Sequence, residues 1–171
     1  ADPNNQFFSI QLGQTQTQGL EFDVRGQLFS GLNVTMNYAL TDAKVTKDTD
    51  GSQVERQVPG TDKHIFNTWL NYRIQSGKAA GLGFSFGVQN SSGRTNWYGV
   101  YNKEVDPTMP NYTRFDGAIS YQMEKFSIAL NVNNLFNAYL ITGGAFYPWS
   151  SYYYSQVEAL RNARLSINYK F

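Results

Sequence analysis

The sequence predicts an all-β chain, an antiparallel up-and-down segment of a transmembrane β-barrel. Three observations lead there. Segments about as long as a membrane-crossing strand, roughly 9–11 residues, alternate between apolar and polar side chains. In each copy the charges and amides share one row and bulky aliphatics and aromatics share the other, because successive strand side chains point to opposite faces. The connections alternate between short and long, the asymmetry of barrels with tight turns at one rim and long loops at the other.

The clearest segment closes the chain: Ala163, Leu165, Ile167, Tyr169 and Phe171 form a greasy row against Arg164, Ser166, Asn168 and Lys170. At residues 18–28, Leu20, Phe22, Val24, Gly26 and Leu28 oppose Glu21, Asp23, Arg25 and Gln27. A turn at Phe29, Ser30 and Gly31 leads to Leu32, Val34, Met36, Tyr38 and Leu40, set against Asn33, Thr35, Asn37 and Ala39. A long polar connection is expected at residues 41–63, with Asp50-Gly51 and Pro59-Gly60 as turn signals. In the third segment Phe66, Leu70, Tyr72 and Ile74 face away from Asn67, Trp69, Asn71 and Arg73, with Thr68 a weak point in the apolar row. A short turn at residues 75–81 precedes Leu82, Phe84, Phe86 and Val88, opposed to Gly83, Ser85, Gly87 and Gln89. A second long connection, residues 90–111, contains Asp106-Pro107 and Pro110. Phe115, Ile119, Tyr121 and Met123 then oppose Arg114, Asp116, Ser120 and Gln122, and a Glu124-Lys125 reversal leads to Phe126, Ile128, Leu130 and Val132. The last long loop, residues 137–160, feeds the terminal strand, for about seven strands in all. Tyr38, Tyr72, Tyr112, Tyr121, Phe136, Tyr169 and Phe171 lie near strand ends, where interfacial girdles are expected.

Composition sets the bounds. The chain has 171 residues, 16% of them aromatic, and a net charge of +1. Mean hydropathy is −0.46. No stretch approaches the roughly 20 apolar residues of a transmembrane helix, whereas alternating strands average to a polar composition. The charge balance gives no basic face for nucleic acid. Absence of Cys excludes disulfides and thiolate metal sites. A soluble sandwich or lipocalin-like barrel also has alternating strands, but its apolar side must fill a closed core. Charges and amides on the polar row of every strand, and the systematic loop asymmetry, favour lipid on the apolar side.

No enzyme is expected. His64 is the sole histidine and no Gly-x-Ser-x-Gly motif accompanies it; it reads as a polar rim residue. Asp48, Asp50, Gly51 and Glu55 lack EF-hand spacing and read as solvated loop charges, so no metal or cofactor is assigned. The candidate ligand contacts are loop aromatics and cations: Arg94, Trp97, Tyr98, Tyr101 and Lys103 in the second long loop, and Phe146, Tyr147, Trp149, Tyr152, Tyr153 and Tyr154 in the third. Exposed aromatic surface marks binding sites, and Tyr and Trp give rigid contact area with a hydrogen-bonding tip. Two readings stand for these aromatics, ligand contact and anchoring of loops to one another or to lipid headgroups. The polar-row charges Glu21, Asp23, Arg25, Arg73, Arg114, Asp116 and Arg164 are expected to pair across neighbouring strands or with a domain inside the barrel.

Several stretches together resemble the C-terminal portion of TonB-dependent outer-membrane receptors, the ferric-siderophore (ferrichrome-like) branch in particular. They are Gln18-Gly-Leu-Glu-Phe22, Gly31-Leu-Asn33, Asn37-Tyr-Ala-Leu-Thr-Asp-Ala43, Val58-Pro-Gly60, His64-Ile-Phe-Asn-Thr-Trp-Leu-Asn-Tyr72, Tyr112-Thr-Arg-Phe-Asp116, Leu130-Asn-Val-Asn-Asn-Leu-Phe-Asn137 and Tyr169-Lys-Phe171. Each is weak alone; their order covers nearly the whole chain. The resemblance implies a barrel of about 22 strands around an N-terminal plug. Residues 1–171 would supply the last seven strands and last three extracellular loops, without the plug, the TonB-contacting segment or the earlier strands. It implies siderophore transport across the outer membrane of a Gram-negative bacterium, with the ferric siderophore as cargo and the plug, the remaining strands, the TonB complex and lipid as partners. The loop aromatics would line the outer pocket, Arg94 or Lys103 would complement an anionic ligand, and Phe171 would be read by the barrel-assembly machinery. An odd strand count cannot close an antiparallel barrel, so a fragment is expected, consistent with a chain starting Ala1-Asp-Pro-Asn-Asn. Two other readings are a small self-contained barrel with a structural or adhesion role, which needs an eighth strand from residues 7–12, and a secreted soluble domain that binds carbohydrate.

Overall fold

The computed structural model of the chain describes residues 13–49, 51–96, 108–147 and 152–171. Its strands are β1 (Gln14–Phe29), β2 (Leu32–Lys47), β3 (Asp62–Arg73), β4 (Leu82–Thr95), β5 (Thr108–Met109), β6 (Tyr112–Gln122), β7 (Phe126–Asn133), β8 (Ile141–Tyr147), β9 (Tyr152–Val157) and β10 (Asn162–Tyr169). The main sheet runs β1-β2-β3-β4-β6-β7-β10, with β5 paired to the end of β4 and β8–β9 forming a separate hairpin. Every pairing is antiparallel. The seven long strands are those read from the sequence. The candidate eighth strand, residues 7–12, lies outside the described residues.

The register carries the alternation across the whole wall. One row reads Leu32, Tyr72, Phe84, Ile119, Leu130, Leu165, each opposite the next across six strands. One residue along, the row reads Gln27, Asn33, Asn71, Ser85, Ala118, Asn131, Arg164 across all seven. A slip of one residue in any strand would put amides into the greasy row, so the pattern pins the register. Buried apolar side chains among the described residues are confined to Ala43 and Leu140, while Leu165, Ile167 and Leu130 are 59%, 58% and 43% exposed. No dry nucleus forms between them: the apolar row is an outer surface. No described helix is long and apolar enough to cross a membrane.

At the short-turn rim, Gly31 closes the β1–β2 hairpin with a φ of +86°. A Cβ there would also run into the Arg73 carbonyl oxygen, whose own N–H donates to Gly31 O (2.8 Å). Left-handed backbone and close approach both demand glycine. Gly81, at +90°, meets the Gln122 carbonyl in the same way at the neighbouring turn.

The long connections are shorter than the alternation suggests. β2 continues to Lys47 because Gln14–Gly19 of β1 pairs with residues 41–47. At 16 residues, β1 and β2 outrun the bilayer; past it, hydrogen bonding holds the ladder with no need of an apolar row. Likewise β4 runs to Thr95 rather than ending near Gln89, and the last loop contains the β8–β9 hairpin. Tyr112 is not a girdle residue. It shares the polar row with Arg114 and Asp116, and its ring centroid lies 5.2 Å from the Arg94 guanidinium carbon.

Candidate functional site

Three long connections leave the sheet at one rim: residues 48–61, 96–111 and 134–161. The first folds back on its own strand, Val58 N–H donating to Ala43 O (2.9 Å) and Glu55 N–H to Val45 O (2.8 Å). It is also stitched to the end of β4. Gly60 N–H donates to Thr95 O (3.2 Å), Thr95 N–H to Thr61 O (3.3 Å), and Gln57 Nε2 to Gly93 O (2.9 Å). The Val58-Pro59-Gly60 stretch thus lies in the seam between the first loop and the end of β4.

Arg94 lies at the centre of this rim. Gly93 before it has a φ of +62°, a backbone that interrupts the pleat. The guanidinium, 5% exposed, meets Asp62 at 3.0 Å through Nε. Nη1 donates to the carbonyls of Ile141 (2.7 Å) and Pro110 (3.3 Å), and Nη2 to Thr142 O (2.7 Å). Ser91 Oγ donates to the second Asp62 oxygen. Four of the about five guanidinium N–H donors therefore serve the protein, and the charge is matched by Asp62. Beside this cluster is a cavity of about 330 Å³, lined among others by Asp62, Arg94, Met109, Gly143, Tyr154 and Gln156.

A second cluster joins two stretches that the resemblance rests on. Asp116 accepts from Asn134 N–H (2.8 Å) and is paired with Arg114 at 3.0 Å. Arg114 also reaches Glu158 in the last loop at 2.7 Å. Asn134, 2% exposed with a φ of +53°, holds Ala138 from both sides: its Oδ1 accepts from Ala138 N–H (2.9 Å) and its Nδ2 donates to Ala138 O (2.8 Å). Phe136 meets Phe115 edge-on with centroids 5.1 Å apart. Arg114 pairs along its own strand and with a loop, not across neighbouring strands as expected. Arg73 does reach across the sheet, to Gln122 Oε1.

Of the sequence candidates, Arg94 and Tyr154 come together at the cavity. Phe146 pairs with Tyr153, and Tyr147 with Tyr152, in the β8–β9 ladder. Trp97, Tyr98, Tyr101, Lys103 and Trp149 lie outside the described residues, as does Asp50. Phe171 follows β10, its ring edge-on to Tyr169 at 5.2 Å. His64 sits near the start of β3, hydrogen-bonded through Nδ1 to the Tyr38 hydroxyl (2.8 Å). Among the described residues no three His, Asp or Glu side chains converge as a metal site. Asp62 and Asn134 were missed as site residues. Asp62 ends a polar run with no pattern of its own, and Asn134 is visible only as part of a motif.

The profile of the family described as TonB dependent receptor-like, beta-barrel matches residues 1–135. The chain belongs to the TonB-dependent receptor β-barrel family. It is 31% identical over 143 residues to the ferrichrome outer membrane transporter/phage receptor of Escherichia coli (strain K12), covering 80% of this chain and 18% of that protein. It is 25% identical over 173 residues to the probable TonB-dependent siderophore receptor PiuA of Acinetobacter baumannii, covering 94% of this chain and 21% of that protein. Superposition on the crystal structure of the siderophore receptor PiuA from Acinetobacter baumannii gives a TM-score of 0.73 at 22% identity, over 93% of this chain and 22% of that one. The ferric yersiniabactin uptake receptor FyuA from Yersinia pestis gives 0.74 at 18% identity, over 94% and 24%. The chain thus spans about a fifth of the curated relatives it matches. As a member of the TonB-dependent receptor family it is an outer-membrane protein, and its relatives are transporters and receptors rather than enzymes.

Proposed function

We propose that this chain is the C-terminal part of the barrel of a receptor that imports a ferric siderophore, supplying wall and the last three extracellular loops. The observation that carries the reading is the convergence of the three long loops on the rim cavity beside Arg94 and Tyr154. The names of the relatives support it: they include a ferrichrome transporter, a probable siderophore receptor and a ferric-catecholate import receptor. The rest of the barrel, a plug domain inside it and the TonB complex acting through an N-terminal part are the partners this reading requires. The ferric siderophore is cargo; no covalent chemistry and no resident cofactor are involved. The wall contributes passive surface, and energy reaches the plug from the inner membrane.

Radioiron uptake from a panel of siderophores, in cells whose own receptors are deleted, tests the proposal. The full-length receptor restores uptake of at least one ferric siderophore, and Tyr154→Ala weakens its binding severalfold. Uptake no better than in empty cells across hydroxamate, catecholate and mixed-chelate siderophores contradicts it.

A further inference from the structure

We infer that Arg94 is a positioning residue that binds the roots of the three long loops into one unit, fixing the hairpin that walls the rim cavity. The inference takes from the proposed function only the reading of this rim as a ligand vestibule. The β8–β9 hairpin pairs with itself and shares no ladder with the main sheet, so ladder hydrogen bonds do not set its attitude to the wall. Its register shifts between Ile141 and Gly143, so Thr142 has no partner residue of its own in the ladder. Arg94 takes that carbonyl and the one before it, at 2.7 Å each, across 47 and 48 residues of sequence. The same side chain reaches Pro110 O at the approach to β6 and Asp62 at the start of β3. A planar fork with several fixed donors suits this task; a lysine ammonium, a compact point charge, cannot hold a carboxylate and spaced carbonyls together.

Two features mark the arrangement as a built one. Gly93 supplies the left-handed backbone that precedes Arg94, and a Cβ there would lie 2.7 Å from Lys63 Cβ. Asp62 in turn is held by Ser91, so the partner of the buried cation is itself fixed. With its charge matched and most donors committed, Arg94 shapes the cavity rather than offering a free cation to an anionic ligand.

Hydrogen exchange read by mass spectrometry on the full-length receptor, without ligand, tests this. In Arg94→Gln, amides of β8, β9 and residues 58–61 exchange about tenfold faster than in the parent, through local opening at the loop roots. Strands β6 and β7 keep their protection, and Arg94→Lys fails to restore the loops. Unchanged exchange of the hairpin in Arg94→Gln, full protection in Arg94→Lys, or loss of protection throughout β6 and β7 overturns the assignment. Because no siderophore is present, failure here is distinct from failure of the uptake test.

Discussion

Asp116 shows how much can depend on a single side chain. It answers both a backbone N–H at Asn134 and the Arg114 guanidinium while 6% exposed, so Asp116→Ala strands a buried donor and leaves Arg114 with Glu158 as its carboxylate partner. The expected cost is roughly 1–3 kcal/mol, measured by urea unfolding in detergent. At Asn134 the positive φ and the side-chain bonds are separable. Asn134→Gly keeps the backbone relaxed and loses only the side-chain bonds to Ala138 and Ala159, whereas Asn134→Ala adds the left-handed penalty of about 1 kcal/mol; the glycine variant is expected to be the more stable. Sequence read these residues as motif letters or as polar-row charges that pair across strands or with a domain inside the barrel. Their roles depend on the contacts Asp116–Asn134 and Arg114–Glu158, 18 and 44 positions apart, which alternation does not encode.

Strands were legible because each carries its own period of two over a full crossing, as in Leu165, Ile167 and Tyr169 against Arg164, Ser166 and Asn168. The ends of β1, β2 and β4 were not, because above the apolar belt a ladder needs only hydrogen-bonding partners and any polar residue serves. The β8–β9 hairpin was hidden for a related reason: Gly143-Gly144 and the Tyr152–Tyr154 run have no alternation to read. The asymmetry of the wall makes its own prediction. Ile167→Arg, in the apolar row, should cost about 2–4 kcal/mol if near the bilayer midplane, while Ser166→Arg on the polar row costs little. Unfolding titrations in phospholipid vesicles compare the two; equal costs would contradict the facing assigned to β10.

At the scale of the molecule, the sheet has an apolar face and a polar face, and the seven long strands described end at two edges, β1 and β10. Unpaired strand edges find no partners in hydrocarbon and template aggregation in water. The isolated 171-residue chain should therefore aggregate or require detergent, as light scattering after refolding would report; a stable, soluble monomer speaks against this. What the wall positions is the rim. The roots of three loops, joined through Gly60, Thr95 and Arg94, border a cavity there, which the proposed function takes as the place of ligand capture. Since the account depends on which row meets lipid, the most direct measurement is spin-label accessibility at residues 163–168 of the full-length receptor in liposomes. Labels at 163, 165 and 167 should collide with oxygen and be shielded from a water-soluble nickel chelate, with 164, 166 and 168 showing the reverse. Chelate access at 165 and 167 equal to that at 164 and 166, or protection of all six from both reagents, would contradict it.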